Sequence, residues 1–109
     1  MTWSVVLSDE AQRDFDDILI WTVDHFGERQ ALRYNALIEL SIDGLKLGPH
    51  QLSVRPRPEL GEGVAAMHIA RSGQPARHVL YLRHTTGAQE IAVLRILHDS
   101  QDPLRHLPE

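Results

Sequence analysis

The chain has 109 residues, of which 42% are hydrophobic and 24% charged, and its formal net charge is −4. This composition indicates one folded domain over residues 1–109, and the lack of cysteine excludes disulfides, thiolate nucleophiles and zinc–thiolate sites. Because no apolar run reaches the roughly 20 residues of a membrane span, and MTWSVVLSDE does not resemble a secretion signal, we expect a cytoplasmic protein without membrane contact.

The N-terminal part of the chain predicts one strand followed by two helices. WSVVL, Trp3 to Leu7, is rich in β-branched residues, and Ser8 is a suitable N-cap for a helix that stops at Gly27. A second periodic stretch ends at Gly48, and the break between the two helices is short enough to predict an antiparallel hairpin. The two apolar stripes comprise Ala11, Phe15, Ile18 or Leu19, Thr22 and Phe26, and then Ala31, Tyr34, Ile38, Ile42 and Leu45, widened by Leu37 and Leu40.

The C-terminal part predicts a long connection and then three strands. Residues 49–63 are rich in proline and glycine, so we expect an ordered but irregular segment. The strands are separated by the turn signals SGQP and TTGAQ, which predicts an antiparallel meander. Helices on one face of such a sheet make an α+β domain, in which the neighbour of the first strand cannot be read. The connection is expected to be pinned by Leu52, Val54 and Leu60, and the strands span Val64 to Arg71, Arg77 to His84 and Glu90 to Leu97.

Charge is unevenly divided along the chain, with nine acids and four bases in residues 1–48 but six acids and seven arginines in residues 49–109. Proteins that bind long nucleic acid need a dense basic footprint. We therefore expect no direct sequence-specific nucleic-acid binding by this chain alone.

Few residues form a recognisable chemical motif. The seven histidines show no metal-ligand spacing, and no phosphate-binding loop or nucleophile motif is present, so we expect no catalytic residue, metal or cofactor. The strand arginines either converge on a phosphate or alternate outwards as structural residues. Arg95 and His98 have opposite parity, so they share a face only if a bulge or the strand end reorients one of them. Trp21 forms either an exposed interaction patch or a contact with the long connection.

The closing segment IAVLRILHDSQDPLRHL, together with the order of elements, resembles the RelE/ParE superfamily of bacterial type II toxins, and within it the ParE branch. The similarity covers essentially the whole chain. It is most specific in VLRILH, Val93 to His98, followed by a polar turn, Asp102 and then RHL. The first-helix pattern from Ala11 to Asp17, followed by Ile20-Trp21, is also typical of the group.

This resemblance implies a toxin that inhibits DNA gyrase without catalysing a reaction, as in plasmid stabilisation modules, and that is neutralised by a ParD-like antitoxin. The antitoxin is expected to lay an amphipathic segment on the toxin, with acids against its arginines. An alternative is a RelE-like ribosome-dependent mRNA endoribonuclease, which the acidic balance and the single lysine disfavour. The implied target-binding residues are Arg95, His98, Asp102 and Arg105, and the implied antitoxin-binding residues are Trp21, Tyr34, Arg71 and Arg83.

Overall fold

A computed structural model describes residues 2–69 and 76–108, and within these ranges the chain forms two α-helices beside a five-stranded sheet. Short 3₁₀ turns follow the second helix, interrupt the long connection and begin the C-terminal tail. The predicted α+β class and the predicted order of the elements are confirmed. In chain order the elements are β1 (Ser4–Leu7), α1 (Asp9–Phe26), α2 (Glu28–Gly44), β2 (Arg55–Pro56), β3 (Val64–His68), β4 (His78–Thr85) and β5 (Glu90–His98), with 3₁₀ turns at Leu45–Leu47, Pro58–Leu60 and Pro103–Arg105.

The sheet has the strand order β1-β5-β4-β3-β2. β1 pairs in parallel with β5, so that Ser4 lies opposite Glu90 and Leu7 lies opposite Val93, and the other pairs are antiparallel. The predicted meander is therefore confirmed, and β1 joins at its C-terminal strand. β5 lies between β1 and β4, which explains why its sequence is apolar at both odd and even positions. The turn predicted at residues 72–75 lies outside the described residues.

Ser8 lies between β1 and α1 and links both elements to β5 through hydrogen bonds. Its side-chain oxygen accepts the backbone N–H of Ala11 at 3.0 Å, and its hydroxyl donates to the carbonyl of Leu94 at 2.8 Å. Its own backbone N–H donates to the carbonyl of Val93 at 2.9 Å. A serine N-cap thus satisfies one of the free N–H groups of the helix while it also fixes the helix start against the sheet.

Ser8→Ala is expected to lower the free energy of unfolding by about 1–2 kcal/mol, because the cap and one sheet contact are lost together. Urea denaturation measures the change. Ser53→Ala is the matched control, since the Ser53 hydroxyl is exposed and donates to the nearby Gln51 side chain. Equal stability of the two variants would contradict this role of Ser8.

The core lies between the two helices and the face of the sheet that meets them, which we call the inner face. Ile38 and Leu45 are fully buried against strand residues such as Leu80 and Ile91. The predicted stripes are largely buried, but Phe26 and Leu40 are exposed. The position of Phe26 was wrong because the stripe continues along α1 beyond the part of the helix that the sheet covers.

The long connection is fixed by fewer apolar side chains than predicted. Val54 is buried and Leu60 is partly buried, but Leu52 is fully exposed, so the prediction that Leu52 pins this segment was wrong. The Gln51 side chain supplies a polar attachment instead, because its Nε2 donates to the carbonyls of Gly44 and Gly48. β2 was not predicted, because a two-residue strand that contains a proline gives no strand pattern in the sequence. Its place at the edge of the sheet is one of the few where a proline is tolerated.

The opposite face of the sheet, which we call the outer face, carries a second small cluster. Ala66, Tyr81 and Leu97 are buried there, and Leu60 and Leu107 pack against them. The C-terminal tail therefore covers part of the outer face. No helix among the described residues is long and apolar enough to cross a membrane.

A β-bulge interrupts β5 where β1 ends. Tyr81 is paired with Arg95 and Leu82 with Val93, so Leu94 is the extra residue in the ladder. Because opposed residues share a face, the pairing places Arg95 on the outer face. The bulge precedes Arg95 and therefore leaves Arg95 and His98 with opposite parity.

Candidate functional site: an apolar groove and the C-terminal tail

Arg95 is held by a carboxylate of the first helix. Its Nε donates to Asp14 Oδ2 at 2.7 Å and its Nη2 donates to Asp14 Oδ1 at 2.9 Å, which is a bidentate pair. Glu10 adds a weaker contact at 3.8 Å, and the Arg95 side chain is only 19% exposed. The hydrogen bond to Asp14 raises the pKa of the Arg95 guanidinium, which therefore stays charged.

The same arginine also fixes the tail. Its Nη1 donates to the backbone carbonyl of His106 at 2.9 Å, next to the Leu107 side chain that packs on the outer face. Asp14 in turn accepts the backbone N–H of Ile96 at 2.9 Å. The Arg95–Asp14 ion pair therefore joins α1, the tail and the part of β5 that extends past the end of β1. This geometry gives Arg95 a positioning role.

The predicted target-binding residues Asp102 and Arg105 lie in this tail. Asp102 caps the last 3₁₀ turn by accepting the backbone N–H of Leu104 at 3.0 Å. Arg105 projects into solvent and is 4.0 Å from Asp102. The tail therefore presents the exposed Arg105 guanidinium on a backbone that Arg95 holds at the His106 carbonyl.

A groove of about 740 Å³ lies between α1, the start of α2 and the ends of β4 and β5. Its apolar wall is formed by Ile18, Trp21, Phe26 and Ile96. Trp21 is 54% exposed and Phe26 is 65% exposed, although both are large apolar side chains. The Trp21 ring stacks on His25 at a centroid distance of 4.1 Å. Exposed apolar area of this kind marks interaction sites.

The other wall of the groove is polar and internally bonded. The Tyr34 hydroxyl is hydrogen-bonded to His78 Nδ1 at 2.5 Å, and the His78 ring meets the His98 ring edge-on at 5.4 Å. Arg77 forms a bidentate pair with Asp99, with distances of 2.8 Å and 3.1 Å. Each of these groups therefore has a neighbour within the chain.

Burial decides the charge of this wall. Desolvation, and to a smaller extent the neighbouring His98, lowers the pKa of His78 to about 4. Burial also raises the pKa of the Tyr34 hydroxyl, whereas the hydrogen bond from Arg77 lowers the pKa of Asp99. At neutral pH the pair of Tyr34 and His78 is uncharged, so it can be covered by an apolar partner at low desolvation cost.

The depressed pKa of His78 predicts an acid-dependent loss of stability. Between pH 6.5 and about 4 the unfolded chain binds a proton at this residue that the folded chain does not. Stability from this residue is therefore complete above pH 6.5 and falls as the pH drops towards 4, by on the order of 1–2 kcal/mol after solvent screening.

Chemical denaturation at a series of pH values tests this, with His78→Gln as the comparison because glutamine does not titrate. The difference in unfolding free energy between the two proteins should change over this range. A constant difference would contradict the assignment to His78.

Eight residues were predicted to contact a partner, and the structure brings only some of them together. Trp21, Tyr34 and His98 line the same groove. Arg83 lies on the outer face, where its Nε donates to the Glu62 carbonyl at 3.3 Å, and Arg71 lies outside the described residues. Three of the eight predicted residues therefore share one surface, and that surface combines the two predicted roles.

Sequence reasoning missed Asp14, Arg77, His78 and Asp99 as parts of this site. Asp14 had a usable signal, because it follows Ala11 by three residues and precedes Ile18 by four, which places it at the border of the buried stripe. The pairing of Arg77 with Asp99 spans two strands and required the register. In the described ranges, no group of three or more histidines and acids is arranged to hold a metal ion.

Comparison with known proteins agrees with this fold. The family model described as the ParE toxin of the type II toxin–antitoxin system, parDE, matches residues 5–103. No curated protein gives a sequence match.

Two solved structures share the fold at low sequence identity. One is described as a chromosomal ParDE TA system from P. aeruginosa and is 24% identical in sequence. The match covers 88% of this chain and 95% of the relative's chain, with a TM-score of 0.72. The other, the toxin–antitoxin complex RelBE2 from Mycobacterium tuberculosis, is 18% identical, covers 93% of this chain and 95% of that chain, and has a TM-score of 0.60. Since the family match extends from β1 into the tail, this chain belongs to the ParE toxin family of type II toxin–antitoxin systems.

Proposed function

We propose that this toxin inhibits DNA gyrase in the cytoplasm and that a ParD-like antitoxin neutralises it. The observation that carries the proposal is the match of residues 5–103 to the ParE toxin of parDE systems. A structural relative described as a ParDE system supports the kind of partner. Gyrase is the target implied by the resemblance of the closing segment to ParE toxins.

The apolar groove is the proposed antitoxin surface. Trp21 and Phe26 expose more than half of their surface in the free chain, which is costly unless a partner covers them. A groove that combines an apolar wall with a few fixed polar groups suits an amphipathic helix or an extended segment. The uncharged pair of Tyr34 and His78 would lie beneath such a segment.

The tail is the proposed target surface, with His98, Asp102 and Arg105 as contacts and Arg95 as their support. Arg105 is exposed and, among the residues that the structure describes, has only a long contact with Asp102, so its guanidinium is available to an acidic partner. Because Arg95 fixes the backbone at His106, Arg105 is presented from a defined position.

A RelE-like endoribonuclease is the competing function, and the polar groove wall is the observation that bears on it. Tyrosine, histidine and arginine are the residue types that such a reaction uses for proton transfer and phosphate stabilisation. Here Tyr34 is bonded to His78, Arg77 is bonded to Asp99, and His98 Nδ1 is bonded to Ser100 at 2.7 Å. This mutual engagement favours a binding surface over a reaction centre.

The decisive experiment adds the purified chain to a gyrase supercoiling assay and, in parallel, to an in vitro translation assay. Inhibition of supercoiling without an effect on translation is expected, and addition of the ParD-like antitoxin should restore supercoiling. Arg105→Ala should weaken inhibition, whereas Arg29→Ala, which removes an exposed arginine from α2, should not. Inhibited translation with unchanged supercoiling would overturn the proposal.

A further inference from the structure

A second concavity lies on the outer face of the sheet, on the side opposite the helices and the groove. This outer-face hollow has a volume of about 470 Å³ and is lined by eight residues, which include Leu52 and Ser53 of the long connection. Ala66 and Val79 form its floor, Tyr81 forms a wall, and Arg55, Arg57 and His68 surround it. The proposed contacts with antitoxin and gyrase do not use any of them.

Strand register explains why a hollow forms at this place. Arg55, Ala66 and Tyr81 form one row across β2, β3 and β4, because Arg55 pairs with Ala66 and Ala66 pairs with Tyr81. Opposed residues share a face, so the methyl group of Ala66 lies between two much longer side chains. His68 and Val79 form the neighbouring row. A small residue in the middle of the row thus leaves space that larger neighbours enclose.

The charged side chains among the described residues that line the outer-face hollow are basic, although the chain as a whole is acidic and Glu59 pairs with Arg57. The chain carries a net charge of −4, yet the described residues that line the hollow include two arginines and a histidine and no acid. Arg55 is exposed on β2 at the edge of the sheet. A local concentration of guanidinium groups on an acidic protein favours an anionic ligand at this position.

Arg57 is held in place before any ligand binds. Its Nε donates to Glu59 Oε2 at 2.8 Å. The exposed Glu59 occupies one side of the guanidinium, and Arg57 lines the hollow together with Tyr81. A side chain that is already ordered loses less conformational entropy on binding.

We propose that the outer-face hollow binds the phosphate group of a nucleotide or of a single nucleic-acid strand. Guanidinium groups match the geometry of phosphate oxygens, and the volume of the hollow accommodates a phosphate with its attached sugar but not a helix. Because only two arginines take part, binding is weak and shows no base sequence preference. This inference goes beyond the gyrase proposal and does not rest on it.

Nuclear magnetic resonance of the complete chain tests the phosphate contact directly. Thymidine monophosphate should shift the Nε–Hε signals of Arg55 and Arg57, whereas thymidine, which lacks the phosphate, should leave them unchanged. The same titration is repeated with octathymidylate and with inorganic phosphate. Tighter binding of octathymidylate identifies a strand as the source of the phosphate, and equal binding identifies a free nucleotide or phosphate ion.

Paired substitutions locate the site. We expect Arg55→Ala with Arg57→Ala to weaken octathymidylate binding at least tenfold, whereas Arg29→Ala with Arg33→Ala, which removes the same charge from exposed positions on α2, should change it less than twofold. Two phosphate contacts predict that affinity falls about sevenfold between 50 and 200 mM salt. Glu59→Gln should strengthen binding, because a competing carboxylate is removed from Arg57.

Ala66→Leu is designed to fill the hollow without altering its charge, and it should abolish binding in a folded variant. If that variant does not fold, the arginine pairs still decide the question. Absent shifts with thymidine monophosphate, equal losses in both arginine pairs, or binding of hexaglutamate as tight as that of octathymidylate would each overturn the proposal.

Discussion

Arg95→Ala is expected to lower the free energy of unfolding by about 2–3 kcal/mol and to release the C-terminal tail from the body. The substitution removes both hydrogen bonds to Asp14 and leaves that carboxylate, which is only 15% exposed, with the Ile96 N–H as its remaining bonded donor. It also removes the donor to the His106 carbonyl. Urea denaturation measures the first effect, and amide hydrogen exchange at Leu107 measures the second.

Arg95→Lys separates charge from geometry. Lysine keeps the positive charge but cannot form the bidentate pair, so this variant should fall between the wild type and Arg95→Ala in stability. Asp14→Asn should weaken the same link from the other side. Exchange at Leu107 that stays as slow in Arg95→Ala as in the wild type would show that the arginine does not hold the tail.

The role of Arg95 in toxicity follows from the same contacts. The resemblance to ParE toxins suggested that Arg95 touches the target, whereas its hydrogen bonds are made within the chain, to Asp14 and His106. We therefore propose that Arg95→Ala weakens toxicity by freeing Arg105 from its defined position while antitoxin binding is retained. Growth after induction, compared with antitoxin pull-down of the same variant, distinguishes these effects.

Trp21→Ala is expected to weaken antitoxin binding by about 2–4 kcal/mol, or roughly 30- to 1000-fold in Kd. A large aromatic side chain in an otherwise exposed apolar groove is the type of residue that dominates interface energies. Folding stability should change little, since Trp21 is about half exposed and its ring contacts are with His25 and Phe26 on the same helix. Isothermal titration of the purified toxin with its antitoxin measures the change.

Leu40→Ala is the matched control for Trp21→Ala. Leu40 is 57% exposed on α2, outside the groove, so its removal deletes a comparable kind of apolar surface. Its effect on antitoxin affinity should be within a factor of two. If both substitutions weaken binding equally, the groove is not the antitoxin surface.

The order of elements could be predicted because local signals were strong. Ser8 has the side chain that an N-cap requires, and the apolar spacing of both helices marks the core residues Ala11 and Ile38, which are fully buried. The partner of β1 could not be predicted, because a parallel pairing with β5 joins segments with no local connection. β2 was missed because a strand of two residues is too short to show an alternation of apolar and polar side chains.

The candidate site was predictable only where a residue departs from its local pattern. Trp21 stands beside the buried stripe and indeed lies in the groove, and the parity of Arg95 and His98 placed them on opposite faces. The Arg95–Asp14 pair was not predictable, because its partners are 81 positions apart and meet only after the bulge and the helix are in place. The outer-face hollow likewise depends on the register of three strands.

The parallel pairing of β1 with β5 has a consequence for how the toxin is made. Ser4 to Leu7 pair with Glu90 to Val93, so the sheet cannot close until β5 has been synthesised. Until then the apolar side of α1 lacks the strand that covers it, and an incomplete nascent chain is open to proteolysis and aggregation. Any surface that depends on Arg95 therefore forms only after β5 has been synthesised and has paired with β1.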